Sequence, residues 1–580
     1  MTMTMKKPMK YVVSFSRSLN VAIKQADAFT DSAFKGNQAA VCFLDVENER
    51  DDSWLQSLAS EFNLPMTCFL IPVTGTNPLD PPRFILRWFT RFVEMDICGL
   101  ATLASAHTLF SNGLVGSSDT VEFATHSGIL TAKRVPETLE FEATIVDIKG
   151  TTTAITVSKA LNGVAKAAST DKIIVVLPSW EAVTELEPRM DEISKCPGKM
   201  IIVTASAPQG SAYDFVSRVF GPKIGVDEVS VCGSAHCALA HYWSLKMNKC
   251  DFVTGKASYR SGKLKLHFDK EKERVLLTGK AVTVMKGSVL VDAFTETAFK
   301  GNQAAVCFLD ENHERDDSWL QSLAAEFDLP LTCFLVPITG SDPPRFLLRW
   351  FTSVAEMDIC GHATLASAHC IFSNSSYGTV EFSTHSGILT AKRLDDCGAE
   401  GSFLIEVNFP VIETCDHSSN DVSMISKALN GAAIVDVRGT TTDKLVFKPL
   451  KGSSKSTSTD QIMVVLSSWE SVTQLQPRID DLMKCPGKVM IVTAAAPEGS
   501  AFDFCSRLFA PKLGLNEDSV CGSAHCSLAH YWSLKMNKSD FVAYAASQRS
   551  GTVKVRYDKE KQRVLLTGKA VTVMKGYVLV

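Results

Sequence analysis

The chain has 580 residues, too many for a single hydrophobic core. Its 45% hydrophobic and 21% charged residues are those of an ordinary globular protein. A net charge of −4 with no basic cluster argues against nucleic acid or a membrane surface as a partner, and no apolar run reaches the roughly 18 residues of a membrane span.

The chain opens on a basic stretch, with Lys6, Lys7, Lys10, Arg17 and Lys24 ahead of the first acidic residue, Asp27. Residues 1–26 read as an extension with the charge pattern of a transit peptide, although Tyr11-Val12-Val13 has the look of a strand; the cytoplasm is the expected location. The 17 cysteines are an odd number, and several lie in apolar runs such as Val41-Cys42-Phe43-Leu44. They read as free, buried thiols in a reducing compartment.

From Asp27 onward the chain is duplicated. Asp27-Ala-Phe-Thr and the following Phe34-Lys-Gly-Asn37 recur from Asp292 as Asp292-Ala-Phe-Thr and Phe299-Lys-Gly-Asn302. Asp51-Asp-Ser-Trp54 recurs as Asp316-Asp-Ser-Trp319, and Val289-Leu-Val291 closes the first copy as Val578-Leu-Val580 closes the second. The join has no linker, so two whole units are expected to pack rigidly. Within each unit the predicted order is strand, strand, an amphipathic helix (54–62; 319–327), a strand (83–89; 345–351) and an apolar helix. A buried β-branched strand follows (172–177; 461–466), then a short helix (180–186; 469–475), a second apolar helix and alternating strands. This is an α+β plan in which each unit has two lobes, each a curled sheet around a central helix. The boundaries read as 27–170 and 171–291 for the lobes of copy one, and 292–458 and 459–580 for copy two. Copy one is shorter between His126 and Gly150 than copy two between His385 and Gly439. It lacks a match to the strand-like Phe403–Pro410, and its pieces Ile145–Thr153 and Ser158–Gly163 stand in reversed order. Copy two is therefore expected to be the working half.

Four helix starts carry the same signature: Cys98-Gly99-Leu100 and Cys232-Gly233-Ser234 in copy one, Cys360-Gly361-His362 and Cys521-Gly522-Ser523 in copy two. Glycine permits a sharp strand-to-helix turn. A thiol at a helix N-terminus meets free amide groups and a favourable dipole, which lower its pKa and suit it to proton transfer. The same cysteines equally suit a small core residue at a tight turn. His362 beside a helix start is a candidate site residue. Asp518 could act in the site or simply cap the helix, and Gly301-Asn302 is an ordinary turn by sequence. His369, His525 and His530 read as core or boundary residues. Cys521 and His525 have metal-pair spacing, but no further ligand pattern supports a metal.

These motifs, Asp-Ala-Phe-Thr with Phe-Lys-Gly-Asn, Gly361-His362, and Asp518-Ser-Val-Cys-Gly-Ser523-Ala-His-Cys, together resemble the PhzF-like phenazine-biosynthesis isomerases, which have the diaminopimelate-epimerase-like fold. The resemblance spans nearly the whole chain, twice. It implies two lobes with a cleft between them and cofactor-free proton transfer on a small carboxylated substrate. It also implies substrate contacts at Gly301, Asn302, Gly361, Gly522 and Ser523. The family's usual acid/base is a Glu, supported by His, Asp and Ser. Here the Glu position is Met66 in copy one and Leu331 in copy two. His and Asp survive as His362 and Asp518 but are Leu100 and Val229 in copy one; Ser survives as Ser234 and Ser523. Related epimerases of this fold use opposed cysteines as acid and base, which makes Cys360 and Cys521 the catalytic candidates with His362 and Asp518. Cys98, Cys232 and Ser234 are degenerate equivalents. The two copies are expected to form an intramolecular pseudo-dimer. The rival expectation is a catalytically inactive duplicated protein that binds a ligand or partner.

Overall fold

The computed structural model describes residues 22–44, 50–74, 80–135, 138–144, 164–168, 172–256, 260, 262–272, 274–286, 290–311, 315–357, 359–395, 403–417, 421–440, 461–574 and 577–578. The N-terminal stretch 1–21, the reversed pieces at 145–163, the join at 287–289 and Asp358 lie outside these residues. The helices that organise the fold are α1 (Asp52–Phe62), α2 (Gly99–Ser111), α3 (Gly233–Met247), α4 (Asp317–Phe327), α5 (Gly361–Ser373) and α6 (Ala524–Met536).

Helices α2, α3, α5 and α6 are buried on nearly every side. Their Ala, Ser, Leu and Cys residues form no polar stripe, so such a helix is stable only when enclosed. The strands enclose them. In the first lobe of copy two, Asn302–Phe308 pairs in parallel with Leu331–Ile338, which pairs antiparallel with Arg345–Phe351. Thr379–Thr384, Gly387–Asp395 and Phe403–Pro410 continue the turn around α5. In the second lobe Gln461–Leu466, Val489–Ala495, Phe504–Ala510, Asp540–Ala545 and Gly551–Asp558 curl about α6. Arg563–Gly568 pairs with Gly551–Asp558 on one side and Phe403–Pro410 on the other, joining the lobes.

Three expectations need correction. Copy one does not lack the strand matching Phe403–Pro410. Thr138–Thr144 pairs with Gly128–Val135 and with Arg274–Gly279, the same two neighbours. Register is set by backbone pairing, so a divergent sequence fills the place. The lobe boundaries are crossed, because the last long strand of each unit, Ala281–Lys286 or Ala570–Met574, returns to pair with the unit's first strand. Finally, the regular part of α6 begins at Ala524, after a tight turn in which His525 N–H donates to the Gly522 carbonyl at 3.0 Å.

The two copies share a core. Leu55, Leu58 and Phe62 of α1 pack with Leu320, Leu323 and Phe327 of α4 in one apolar cluster that also takes in Phe69, Phe89, Phe334 and Phe351. At its edge, Tyr577–Val578 pairs antiparallel with Met285–Lys286 of copy one.

Candidate active site

Paired helix starts form the centre of each unit. A Cβ placed on Gly361 would lie 2.5 Å from the Gly522 Cα, and one on Gly522 would lie 2.7 Å from the Gly361 Cα. Copy one repeats the contact, with a Cβ on Gly233 falling 2.8 Å from the Gly99 Cα. Only glycine allows two backbones this close. The contact sets Cys360 and Cys521 one residue ahead of the two glycines that meet.

The polar groups of copy two gather around that contact. The Cys360 Sγ lies 3.4 Å from His362 Nδ1, and the Cys521 Sγ lies 3.3 Å from the Ser523 hydroxyl. His362 Nδ1 is 4.0 Å from the Asp518 carboxylate. Asn302 donates through Nδ2 to Asp518 and, at 3.0 Å, to the Val520 carbonyl. His362 and Asn302 are fully buried and Asp518 nearly so. His362 Nε2 and Asn302 Oδ1 have no hydrogen-bond partner among the described residues, which marks them as groups that a ligand could satisfy. Gly301 sits at φ +66°, where an added Cβ would strike the Ala293 carbonyl oxygen at 2.2 Å; this turn therefore requires glycine to present Asn302.

The thiols do not have the lowered pKa expected of helix N-termini. Burial pushes Cys360 and Cys521 well above the usual thiol value, and the charge of Asp518 adds to it. The amides of Ala363 and Ala524 act in the expected direction, but loss of water outweighs them. Both thiols are neutral at pH 7. Burial also lowers the pKa of His362, against the pull of Asp518 and the backbone at Gln303, so its imidazole is neutral as well.

Of the other candidate histidines, His525 borders this centre. It bonds through Nδ1 to the Cys521 carbonyl at 2.7 Å, and burial lowers its pKa to about 4. His369, by contrast, lies 3.0 Å from the Thr572 hydroxyl, and His530 bonds to Thr414. No group of three His, Cys, Asp or Glu side chains among the described residues could hold a metal ion. No disulfide joins the described cysteines. No helix among the described residues is long and apolar enough to cross a membrane.

In copy one the same place is apolar. Met66, Leu100 and Val229 line a cavity of roughly 30 Å³ with Met95, Met200 and Ile224, beside Cys98, Cys232 and Ser234. Sequence reasoning located these positions but missed Glu61, Arg549 and Asp292, whose grouping depends on packing between the copies.

Two curled lobes closing on paired Cys-Gly helix starts define a two-lobed α+β protein with its polar groups gathered where the lobes meet. The chain belongs to the phenazine biosynthesis-like (PhzC-PhzF) family, whose model matches residues 26–287 and again 291–576. It is 37% identical over 278 residues to an uncharacterized isomerase of Halalkalibacterium halodurans, covering 47% of this chain and 100% of that one. It is also 37% identical over 296 residues to the mouse phenazine biosynthesis-like domain-containing protein 1, covering 50% and 96%. A putative phenazine biosynthesis PhzC/PhzF protein from Clostridium difficile aligns at 33% identity with a TM-score of 0.40, covering 46% of this chain and 99% of that one.

Proposed function

We propose that this chain is a cofactor-independent isomerase that moves a proton on a small carboxylated metabolite, with copy two as the working unit. The observation that carries the reading is the Gly361–Gly522 contact. It brings two helix N-termini, two thiols, His362 and Asp518 to one point. Paired helix N-termini suit a substrate carboxylate. The neutral Cys360 thiol passes its proton to His362 Nδ1, and Asp518 stabilises the imidazolium formed. The thiolate then removes the substrate's α-proton, the neutral Cys521 thiol donates its own from the opposite side, and the His362 imidazolium gives its proton back to the Cys521 thiolate, which returns all three groups to neutral. Ser523 and Asn302 orient the substrate. Neutral thiols suit the acid half of this exchange as they stand; the base half depends on His362. Copy one lacks His, Asp and Glu at these positions and serves as the rigid partner in an intramolecular pseudo-dimer.

The test is deuterium incorporation from heavy water into a panel of α-amino and cyclohexadienyl carboxylates, with Cys360→Ala and His362→Ala compared with the parent. Exchange that disappears in Cys360→Ala supports the scheme. Exchange that survives Cys360→Ala but not His362→Ala moves the base to His362. Absence of exchange across the panel counts against an enzyme and towards a ligand-binding role.

A further inference from the structure

Copy one lacks three of the four polar groups of the site, yet one of its carboxylates reaches into copy two. Glu61, in the last turn of α1, is fully buried against residues of the other copy. Its carboxylate accepts from Arg549 Nη1 at 2.8 Å. Arg549 also donates to Asp292 at 2.7 Å, to the Gly301 carbonyl at 3.0 Å and to the Lys300 carbonyl at 3.1 Å. Asp292 in turn accepts from the Phe299 amide at 2.7 Å. The Glu61 carbonyl oxygen accepts from Gln303 Nε2 at 2.8 Å. Glu61 therefore holds both chain neighbours of Asn302, Gly301 through Arg549 and Gln303 directly. Asn302 is the residue that bonds Asp518 and the Val520 carbonyl beside the Cys521 helix start.

We infer that Glu61 of copy one is a positioning residue for the site of copy two, fixing the 299–303 turn through Arg549 so that Asn302 holds Asp518 in place. The half-buried Arg549 guanidinium bridges two fully buried carboxyl groups, Glu61 and Asp292, and locks their geometry because a lost bond would leave a buried carboxyl group without a partner. The device is reciprocal. Glu326 of α4 bonds Arg260 at 2.8 Å, Arg260 bonds the Gly36 and Lys35 carbonyls at 3.2 Å, and Gln38 donates to the Glu326 carbonyl at 2.9 Å. There the chain of contacts ends without consequence for chemistry: Asn37 bonds the Val231 carbonyl, and Val229 stands where copy two has Asp518. So the copy without the polar groups supplies the brace that matters, and the copy with them supplies the idle one.

The catalytic part rests on the proposed function; the positional part does not, and the experiment separates them. In the full chain, Glu61→Ala, Glu61→Gln and Glu326→Ala are compared by amide hydrogen exchange of peptides covering 294–303 and 29–38, and by turnover. Glu61→Ala is expected to speed exchange at least tenfold in 294–303 and leave 29–38 unchanged, whereas Glu326→Ala does the reverse. Glu61→Gln, which keeps an acceptor for Arg549, falls between. Where the parent turns over a substrate, Glu61→Ala lowers kcat at least tenfold and Glu326→Ala leaves it near the parent value. Exchange that rises equally in both turns, or only around each mutated residue, overturns the inference. Equal loss of kcat in the two alanine variants does so too. If the parent shows no turnover, the proposed function fails, and the crossed exchange pattern alone decides whether Glu61 braces the turn.

Discussion

Replacing Gly361 by alanine tests whether the two helix starts meet. The new Cβ would stand 2.5 Å from the Gly522 Cα, 2.7 Å from its carbonyl carbon and 2.8 Å from the Ser523 amide nitrogen. All three are backbone atoms, so no side chain can swing aside. Ordinary contact needs 3.4 Å or more, and the helix ends must separate by about 1 Å. Overpacking of this kind costs about 1–3 kcal/mol. Alanine's better helix propensity offsets at most about 1 kcal/mol of it. A net loss of about 1–2 kcal/mol leaves the chain folded, with the unfolding transition lowered by a few degrees. The effect on chemistry is larger, since a displacement of about 1 Å at reacting groups lowers turnover by roughly 100-fold. Thermal unfolding and deuterium incorporation are measured together, with Gly378→Ala as control because nothing lies within 4 Å of its added Cβ. A Gly361→Ala chain with the parent's midpoint and the parent's turnover would refute the contact and the site built on it.

Burial, with the nearby Glu61 charge, raises Asp292 to about 9, and burial with Glu326 does the same for Asp27. A carboxyl raised in the folded state favours folding at low pH, and that contribution is lost as pH climbs from the unfolded value towards about 9. Unfolding midpoints should fall across that window, and Asp292→Asn, a neutral stand-in for the protonated acid, should flatten the slope; an unchanged slope would refute the raised carboxyl. Cys360, buried and with a raised pKa, should resist iodoacetamide at neutral pH while the half-exposed Cys250 and Cys415 react, as read by peptide mass spectrometry. Asp518→Asn removes a charge that raises both thiols and should speed their alkylation; slower or equal labelling would refute that coupling. Asn302→Asp sets a second carboxylate against Asp518 and should cost about 1–3 kcal/mol in denaturant unfolding. Asn37→Asp, which meets no second carboxylate because Val229 stands at the Asp518 position, should cost less.

Much of the plan was legible because it is local. The duplication, the apolar helices and the four Cys-Gly starts follow from residue order and periodicity. The strand Thr138–Thr144 was not legible, because it is defined by its pairing with Gly128–Val135 and Arg274–Gly279 and not by likeness to Phe403–Pro410. Sequence placed His362 and Asp518 as candidates near helix starts. It misjudged the thiols, since a helix N-terminus can be read from neighbours in the chain but desolvation depends on everything packed around it.

The sequence by itself determined that there are two copies, that each has two enclosed apolar helices following a Cys-Gly pair, and that copy one has Leu100 and Val229 where copy two has His362 and Asp518. Short-range sterics and hydrophobic pattern suffice for those features. Only the tertiary structure decided that Gly361 meets Gly522, that Cys360 and Cys521 are neutral, and that Glu61 crosses to Arg549. Each of these depends on distance and burial between segments far apart in the chain, and no local pattern of residues encodes either quantity.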